Sequence, residues 1–478
     1  MFNDLREFIE EARNAGELKV IEGADWDLEL GTITHLAGDK GNSPMLLFDR
    51  IKDYPAGYRV VTNMFATARR TALTLGLPLQ ARGLDLVRAL RDRIKNIPLI
   101  PPVEVDDSPV KENILTGDDV DIFRFPTPKW HEHDGGRYIG TGSVGVIRDP
   151  DEGWLNLGTY RTQIHDKNTV TMSMVPGHRG ESIRRKWWAR GLACPVAIAC
   201  GQEPTLWAAS QWDGLQRGIS EYDFAGGLRG EPVKVTKGII TGLPIPATAE
   251  IVLEGEILPM EVETRQEGPF GEWCGYYAGG VRTMPAIRIK AILHRNDPIL
   301  QGNPPHRYPS IWSVGKHIQK AAYLWNELDR QVPDVKGVWV MEEGALHSII
   351  VVSIKQGHPG HAKQAGLLSA VSSATNFQNR FVIVVDDDID PSNISQVLWA
   401  LGTRVDLDNS IDIVKNCLSG TSNPMLSPEA KRLGTNEMSR GIITACKPFA
   451  WKDNFPQSVE PSAELAARIR EKWKEILG

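Results

Sequence analysis

The segments GRYIGTGSVGVIRD (residues 136–149), GWLNLGTYRTQIHD (153–166) and NTVTMSMVP (168–176) set the architecture. Each alternates in character and turns at glycine or asparagine after a few residues, which predicts antiparallel strands. Working toward the C-terminus, a helix is expected over 180–191, a strand over 195–200 and a helix over 203–213, while 221–229 reads either way. Strands return at 232–239, 248–264 and 284–295. The middle of the chain is therefore a strand-rich unit with helices inserted between its strands.

The flanks differ in texture. Toward the N-terminus, Leu5, Phe8, Ile9 and Ala12 share one face of a helix over 3–14, capped by Asn3 or Asp4 and stopped at Gly16. Short strands follow at 45–50 and 58–63, then a helix at 83–95, and 102–118 reads as a connector after the prolines at 98, 101 and 102. Beyond 310, the apolar runs VKGVWVME (335–342), HSIIVVSIK (347–355) and RFVIVVDDDID (380–390) are separated by helical stretches at 314–328, 361–373 and 393–402. That is the rhythm of an α/β unit with a buried sheet. A last helix over 462–476 presents Leu465, Ile469, Trp473 and Ile476 on one side, as a helix that docks on a neighbour does. The fold class is α/β in a multidomain α+β arrangement. The expected division is 1–115, 116–315, 316–455 and a terminal helix in 456–478.

Composition narrows the function. The 478 residues include 54 Lys and Arg against 60 Asp and Glu, a net charge of −6. Such a chain has no bulk attraction to nucleic acid or anionic membrane, and neither is expected as a partner. No apolar run is long enough for a membrane helix, and MFNDLREFIEEARNAG lacks the apolar core of a secretory signal, so a cytoplasmic location is expected. The five cysteines form no CxxC pair and predict reduced thiols rather than a disulfide framework.

Four constellations carry possible chemistry. EGPFGEW (267–273) sets Glu267 and Glu272 around a Gly-Pro turn that could aim both carboxylates into one cavity for acid–base work; a solvated surface turn is the competing reading. In WLNLGTYRTQIHDKN (154–168), Arg161 could grip a carboxylate in two-pronged fashion and Asn156 could offer oxygen to a hard cation. On a regular strand, however, Arg161 would face away from Asn156 unless a bulge intervenes. PGHRGESIRRKWW (176–188) places His178 before a helix start that could hold phosphate, with Arg184 and Arg185 adding charge. GISEYDFAGGLRGEP (218–232) supplies Glu221 and Asp223. An Asn, a His and a Glu from distant positions would make an oxygen and nitrogen site for manganese or magnesium. Weaker candidates are His131 and His133 in WHEHDGGRY, the acidic run DDDIDP (386–391), and His306, Arg307 and Tyr308 in NPPHRYPSIW (303–312). No GxGxxG, P-loop or HExxH motif occurs.

Taken together, WLNLGTYR, PGHRG, SEYDF, the ATAEIVLEGE–EGPFGE run and DDDIDPSNISQVLWALGTR resemble the UbiD family of decarboxylases, and the likeness runs from the first helix to about residue 450. The resemblance implies a central flavin-reductase-like split β-barrel between N- and C-terminal α/β regions, with the C-terminal helix used in dimerisation. It implies prenylated FMN, held through a Mn2+ or Mg2+ ion on Asn156, His178 and Glu221, with Arg161 also near the cofactor. A K+ ion is implied beside Trp154 and residues 209–212. Arg161, Glu267 and Glu272 fall on the family's catalytic positions.

The implied reaction is reversible, non-oxidative decarboxylation through a covalent adduct with the prenylated FMN, Glu272 delivering the proton that replaces CO2. Cys274 has no nucleophilic part in it. Trp273, Tyr276, His306 and Tyr308 suit a flat ring, so a small aromatic or heteroaromatic carboxylic acid, above all a hydroxybenzoate, is the expected substrate. The alternatives are a decarboxylase of α,β-unsaturated, cinnamic-type acids, an FMN reductase, and a non-catalytic subunit of a carboxylase complex. A homodimer or larger homo-oligomer is expected, with a separate flavin prenyltransferase supplying the cofactor.

Overall fold

The computed structural model describes every residue except 40–42, 175, 213, 311–312, 346–347, 376–378 and 478. Thus Val175 in the expected strand, Asp213 at the end of the expected helix, Ile311 and Trp312 in the proline-bounded loop and His347 in the apolar run lie outside the described residues.

The central sheet runs in the order Leu155–Gly158, Ser143–Arg148, Cys194–Cys200, Ile251–Ile257, Ile287–His294, Thr169–Met172, Thr162–Asp166, with Asn113–Thr116 pairing Ile287–His294 from the side. Its first and last strands are neighbours in sequence, joined only by Thr159, Tyr160 and Arg161. That link spans at most about 14 Å. Crossing the same strands laid flat would take about 29 Å at the usual interstrand spacing. The sheet therefore has to curl until its edges approach, and Arg161 sits in the seam. The break also resolves the parity problem: residues 154–168 are two strands, so Arg161 is not bound to the facing set by Asn156.

Both faces of the sheet are covered: Val196, Ile198, Leu253 and Ile292 share one face and pack in one core, while Val144 and Val146 project from the other face into a second, and all six are fully buried. Residues 221–229 settle as a helix, with the Ser220 hydroxyl accepting from the Tyr222 amide as N-cap. The expected connector 102–118 is not featureless, because Asn113–Thr116 pairs with Ala291–His294, the later half of a strand inside the central sheet.

The N-terminal sheet orders Leu18–Glu22, Met45–Asp49 and Arg59–Thr62, and completes itself with Ile299–Gln301, contributed after the barrel. The C-terminal sheet has five strands, Val335–Val340, Ile349–Ile354, Phe381–Asp386, Glu437–Ala445 and Ile411–Leu418. The last two were not apparent in the sequence; Ile411–Leu418 is an edge strand with half its residues exposed, so its apolar run is diluted. The expected strand 248–264 divides into Ile251–Ile257 and Thr264–Glu267, the latter forming a hairpin with Arg282–Pro285. The final helix Ala463–Lys472 buries no residue within the chain, and Leu465, Ile469, Trp473 and Ile476 are all exposed. Among the described residues no helix is long and apolar enough to cross a membrane.

Candidate active site

A cavity of about 1860 Å³ opens between the curled sheet and the C-terminal region. It exceeds an ordinary small-ligand pocket, and so has room for a large cofactor and a substrate together. It is lined by the strand end Asn156–Tyr160, by His178 and Glu221, and by Trp273 and the run Tyr276–Thr283.

Arg161, Glu267 and Glu272 do not themselves line the cavity but converge next to its lining residue Gly279. Arg161 donates from Nε to Glu267 Oε1 at 2.7 Å and from Nη2 to Glu267 Oε2 at 2.9 Å, and from Nη1 to Glu272 Oε1. Glu267 is fully buried and also accepts from the Tyr138 hydroxyl at 3.2 Å. Burial, and then the Glu267 charge, push the Tyr138 hydroxyl well above the ordinary phenol range, so it stays a donor. Burial opposes the charge on Arg161, but Glu272 and Glu267 outweigh it and hold the guanidinium protonated. The hydrophobic face of Phe270 lies under this cation at 5.3 Å. The solvated-turn reading of EGPFGEW is therefore excluded.

Local backbone chemistry makes the turn possible. Gly268 has φ +90°, and a Cβ there would lie 2.5 Å from the Gly280 carbonyl, so only glycine fits where the two ends of the loop approach. The Gly268 amide is held by Gln163 Oε1 at 2.9 Å. At Gly279, the point a Cβ would occupy lies 2.8 Å from Glu272 Oε1, 3.4 Å from Arg282 Nη2 and 3.6 Å from Arg161 Nη2. Three charged groups thus gather round one small space in the cavity wall.

Asn156, His178 and Glu221 line the same cavity. Asn156 Nδ2 donates to Glu221 Oε1 at 3.2 Å, and the Leu157 amide donates to Glu221 Oε2 at 2.7 Å. The Tyr160 hydroxyl reaches Asn156 Oδ1 at 3.4 Å, and its ring centroid is 5.9 Å from that of His178. Burial pushes the Glu221 carboxyl up to about 7, against the Leu157 amide and the Arg179 charge. Arg179 Nη1 also donates to Glu221 Oε1 at 3.4 Å. An amide oxygen, an imidazole and a carboxylate, with no thiolate among them, fit a hard or borderline divalent cation.

The positive charge on this side is not where the sequence suggested. Arg185 is exposed and ion-paired with Glu181. Arg184 is buried, donating to the Met174 carbonyl at 3.2 Å and stacking on Trp188. Arg179, one turn earlier, lines the cavity instead, together with Lys316 and Lys320. The spacing gave no sign of this, because helical phase at an N-terminus depends on where the helix starts.

Other candidates separate. Trp273 and Tyr276 line the cavity; His306 and Tyr308 do not. His306 is buried, its ring 4.8 Å from His35 and 5.7 Å from His131, while Tyr308 is 41 % exposed. Cys274 donates from Sγ to the Ser422 carbonyl at 3.3 Å, and burial raises its thiol pKa, consistent with an inert side chain. Among the described residues no trio of His, Cys, Asp and Glu is gathered to hold a metal. His131 is engaged by Asp134 and the Pro305 carbonyl. Asp386 and Asp388 of the acidic run are compensated by Arg404, and Asp388 also by Lys447.

Comparison with known proteins now adds a second line of argument. Three family models match in tandem: the N-terminal domain of 3-octaprenyl-4-hydroxybenzoate carboxy-lyase at residues 9–90, its Rift-related domain at 102–308 and its C-terminal domain at 315–445. The chain belongs to the UbiD family. This UbiD chain is 34% identical to a pyrrole-2-carboxylic acid decarboxylase of Pseudomonas aeruginosa, over 99% of this chain and 98% of that protein. A phenolic acid decarboxylase of Bacillus subtilis is also 34% identical, over 84% and 85% of the two. Among solved structures, the closed form of Sedimentibacter hydroxybenzoicus vanillic acid decarboxylase superposes with TM-score 0.86 at 30% identity, covering 100% of this chain and 99% of that one. An evolved dimeric form of the UbiD-class enzyme HmfF from Pelotomaculum thermopropionicum, in complex with prFMN, gives TM-score 0.80 at 27% identity over 97% and 98%. The homologues of this UbiD chain are thus decarboxylases of aromatic and heteroaromatic acids, and the expected α/β architecture with a curled central sheet is the one observed.

Proposed function

We propose that this protein is a prenylated-FMN-dependent carboxy-lyase that reversibly decarboxylates an aromatic or heteroaromatic acid, hydroxybenzoate-like in the first instance. The observation that carries this reading is the buried Arg161–Glu267–Glu272 cluster beside Gly279, in the wall of a cavity that Asn156, His178 and Glu221 also line.

Asn156, His178 and Glu221 would hold Mn2+ or Mg2+, which would supply positive charge for an anionic cofactor, with Arg179 adding to it. When bound, the cofactor supplies an electron sink for the carbon that loses CO2. The chain's own residues do the rest. Arg161, fixed by Glu267, orients the reacting end of the acid. Glu272, which accepts from Nη1 of the same guanidinium, would hand a proton to the vacated ring carbon and take one back in the reverse direction. Trp273 and Tyr276 pack against the ring. A K+ ion near Trp154 and residues 209–212 completes the reading, although Lys316 Nζ already donates to the Gln211 carbonyl at 2.5 Å and leaves the ion only the other oxygens there.

Residues 116–315 are proposed as the cofactor-binding unit, 1–115 and 316–455 as its flanking α/β regions, and the exposed stripe on the helix in 456–478 as a dimer contact. The protein would work in the cytoplasm, beside the prenyltransferase that makes its cofactor.

The test is decarboxylation in deuterated water by protein co-produced with a flavin prenyltransferase, against pyrrole-2-carboxylate, hydroxybenzoates and a cinnamic acid. CO2 release with deuterium at the vacated carbon is expected for a ring acid. Glu272→Gln should remain loaded but lose turnover by roughly a hundredfold or more. Undiminished turnover in that variant removes Glu272 from the proton-transfer role, and NAD(P)H oxidation without CO2 release replaces the decarboxylase with a reductase.

A further inference from the structure

Arg282 closes the base of the catalytic loop. In the hairpin of Thr264–Glu267 with Arg282–Pro285, Glu267 and Arg282 are direct partners across the two strands. Opposed residues of an antiparallel pair project to the same face, so register alone brings Arg282 to the glutamate side of the cavity. Its Nε donates to the Gly279 carbonyl at 3.1 Å, the one hydrogen bond of its guanidinium among the described residues. Its two terminal amino groups have no carboxylate partner there, and the side chain lines the cavity.

The charge balance shows why such a group matters. Arg161 faces two glutamates, so with both ionised the cluster carries one net negative charge and repels an incoming carboxylate. With Glu272 protonated the cluster is neutral, but the two-pronged face of Arg161 is still spent on Glu267. Arg282 is the adjacent guanidinium with its paired donors uncommitted, the geometry that suits a carboxylate. Its Nη2 lies 3.4 Å from the point beside Gly279 where Glu272 and Arg161 also converge. Lys431, whose Nζ donates to the Ala278 carbonyl at 2.5 Å, lines the same cavity and adds positive potential from the C-terminal region. Burial, and then the charge of Arg161, weigh against the ionised form of Arg282, and the nearby Glu272 and Glu267 charges offset them only in part.

We propose that Arg282 binds the carboxylate of the aromatic acid and presents it to the Arg161–Glu272 side of the cavity. This rests on the decarboxylase reading above and adds a substrate-binding residue to it.

The test is equilibrium titration of holoenzyme in a Glu272→Gln background, where turnover is suppressed, with and without Arg282→Gln or Arg282→Lys. The probes are pyrrole-2-carboxylate and 4-hydroxybenzoate and the carboxamides of the same two rings. Arg282→Gln should weaken binding of an acid by roughly ten- to a hundredfold, as loss of a charge-assisted pair does, and leave the matching carboxamide within about twofold. Arg282→Lys should recover part of the loss. Equal weakening of acid and amide, no weakening, or no acid binding by the parent would each overturn the assignment. CO2 release by wild-type holoenzyme is scored separately. Its absence with the acid-selective loss intact would fail the decarboxylase reading alone; its presence with acid binding indifferent to Arg282 would fail this one alone.

Discussion

Arg161 and Glu267 meet in a two-pronged pair, at 2.7 and 2.9 Å, with Glu267 wholly out of solvent. A buried ion pair contributes little net stability, but breaking one leaves a charge without compensation. Glu267→Gln should therefore cost about 3 kcal/mol in denaturant unfolding, the low end for such a loss, because Glu272 still offsets part of the guanidinium charge. The same variant should let Arg161 swing toward Glu272 and lower kcat more than it raises KM. Unchanged stability would show that the fold does not depend on the Arg161–Glu267 pair.

Gly279 sets the spacing of the charged groups. An alanine methyl there would fall 2.8 Å from Glu272 Oε1, closer than real contacts allow, and the glutamate end is the movable partner. Gly279→Ala is expected to fold normally, since φ at this position lies outside the left-handed range, and to displace the Glu272 carboxylate. Activity should fall by roughly tenfold or more through misplaced proton transfer. A crystal structure of the variant with Glu272 unmoved, or full activity, would contradict this.

Asn156, His178 and Glu221 are expected to load metal and flavin as one unit. Asn156→Ala or Glu221→Ala should lower bound Mn2+ and flavin together, read by metal analysis and visible absorbance, while unfolding stays cooperative. Removing the metal from wild-type protein with a chelator should release flavin in parallel. Flavin retained at full occupancy without metal would place the phosphate on Arg179, Lys316 and Lys320 instead.

What the sequence made legible was the chemistry within single segments. Glu267 and Glu272 stood out because glycine and proline around two acids restrict the turn they can form, and Asn156, His178 and Glu221 stood out by residue type. What it hid was set by register and closure. Arg161 lay on the wrong side of a continuous strand, and only the break at Thr159–Arg161, imposed by the curling sheet, turned it inward. Arg282 gave no local signal, because its place follows from pairing with Glu267 across the loop. His306 and Tyr308 seemed suited to a flat ring, but the loop packs His306 against His35 and His131 and leaves Tyr308 in solvent.

That packing gives the last prediction. Burial first, then the neighbouring His131 and His35, hold His306 well below its ordinary value of 6.5, and neither of its ring nitrogens has a hydrogen-bond partner among the described residues. The folded protein thus keeps His306 neutral at pH values where the unfolded chain protonates it. Its contribution to stability is present above pH 6.5 and is lost as the pH falls toward the depressed folded value, with a slope approaching about 1.4 kcal/mol per pH unit. His306→Phe keeps the ring volume and removes the titration. Unfolding free energies of the two proteins should be similar near pH 8, and should diverge in favour of the phenylalanine variant between about pH 6.5 and 5. Parallel curves over that interval would show that His306 takes up its proton in the folded protein as readily as in the unfolded chain.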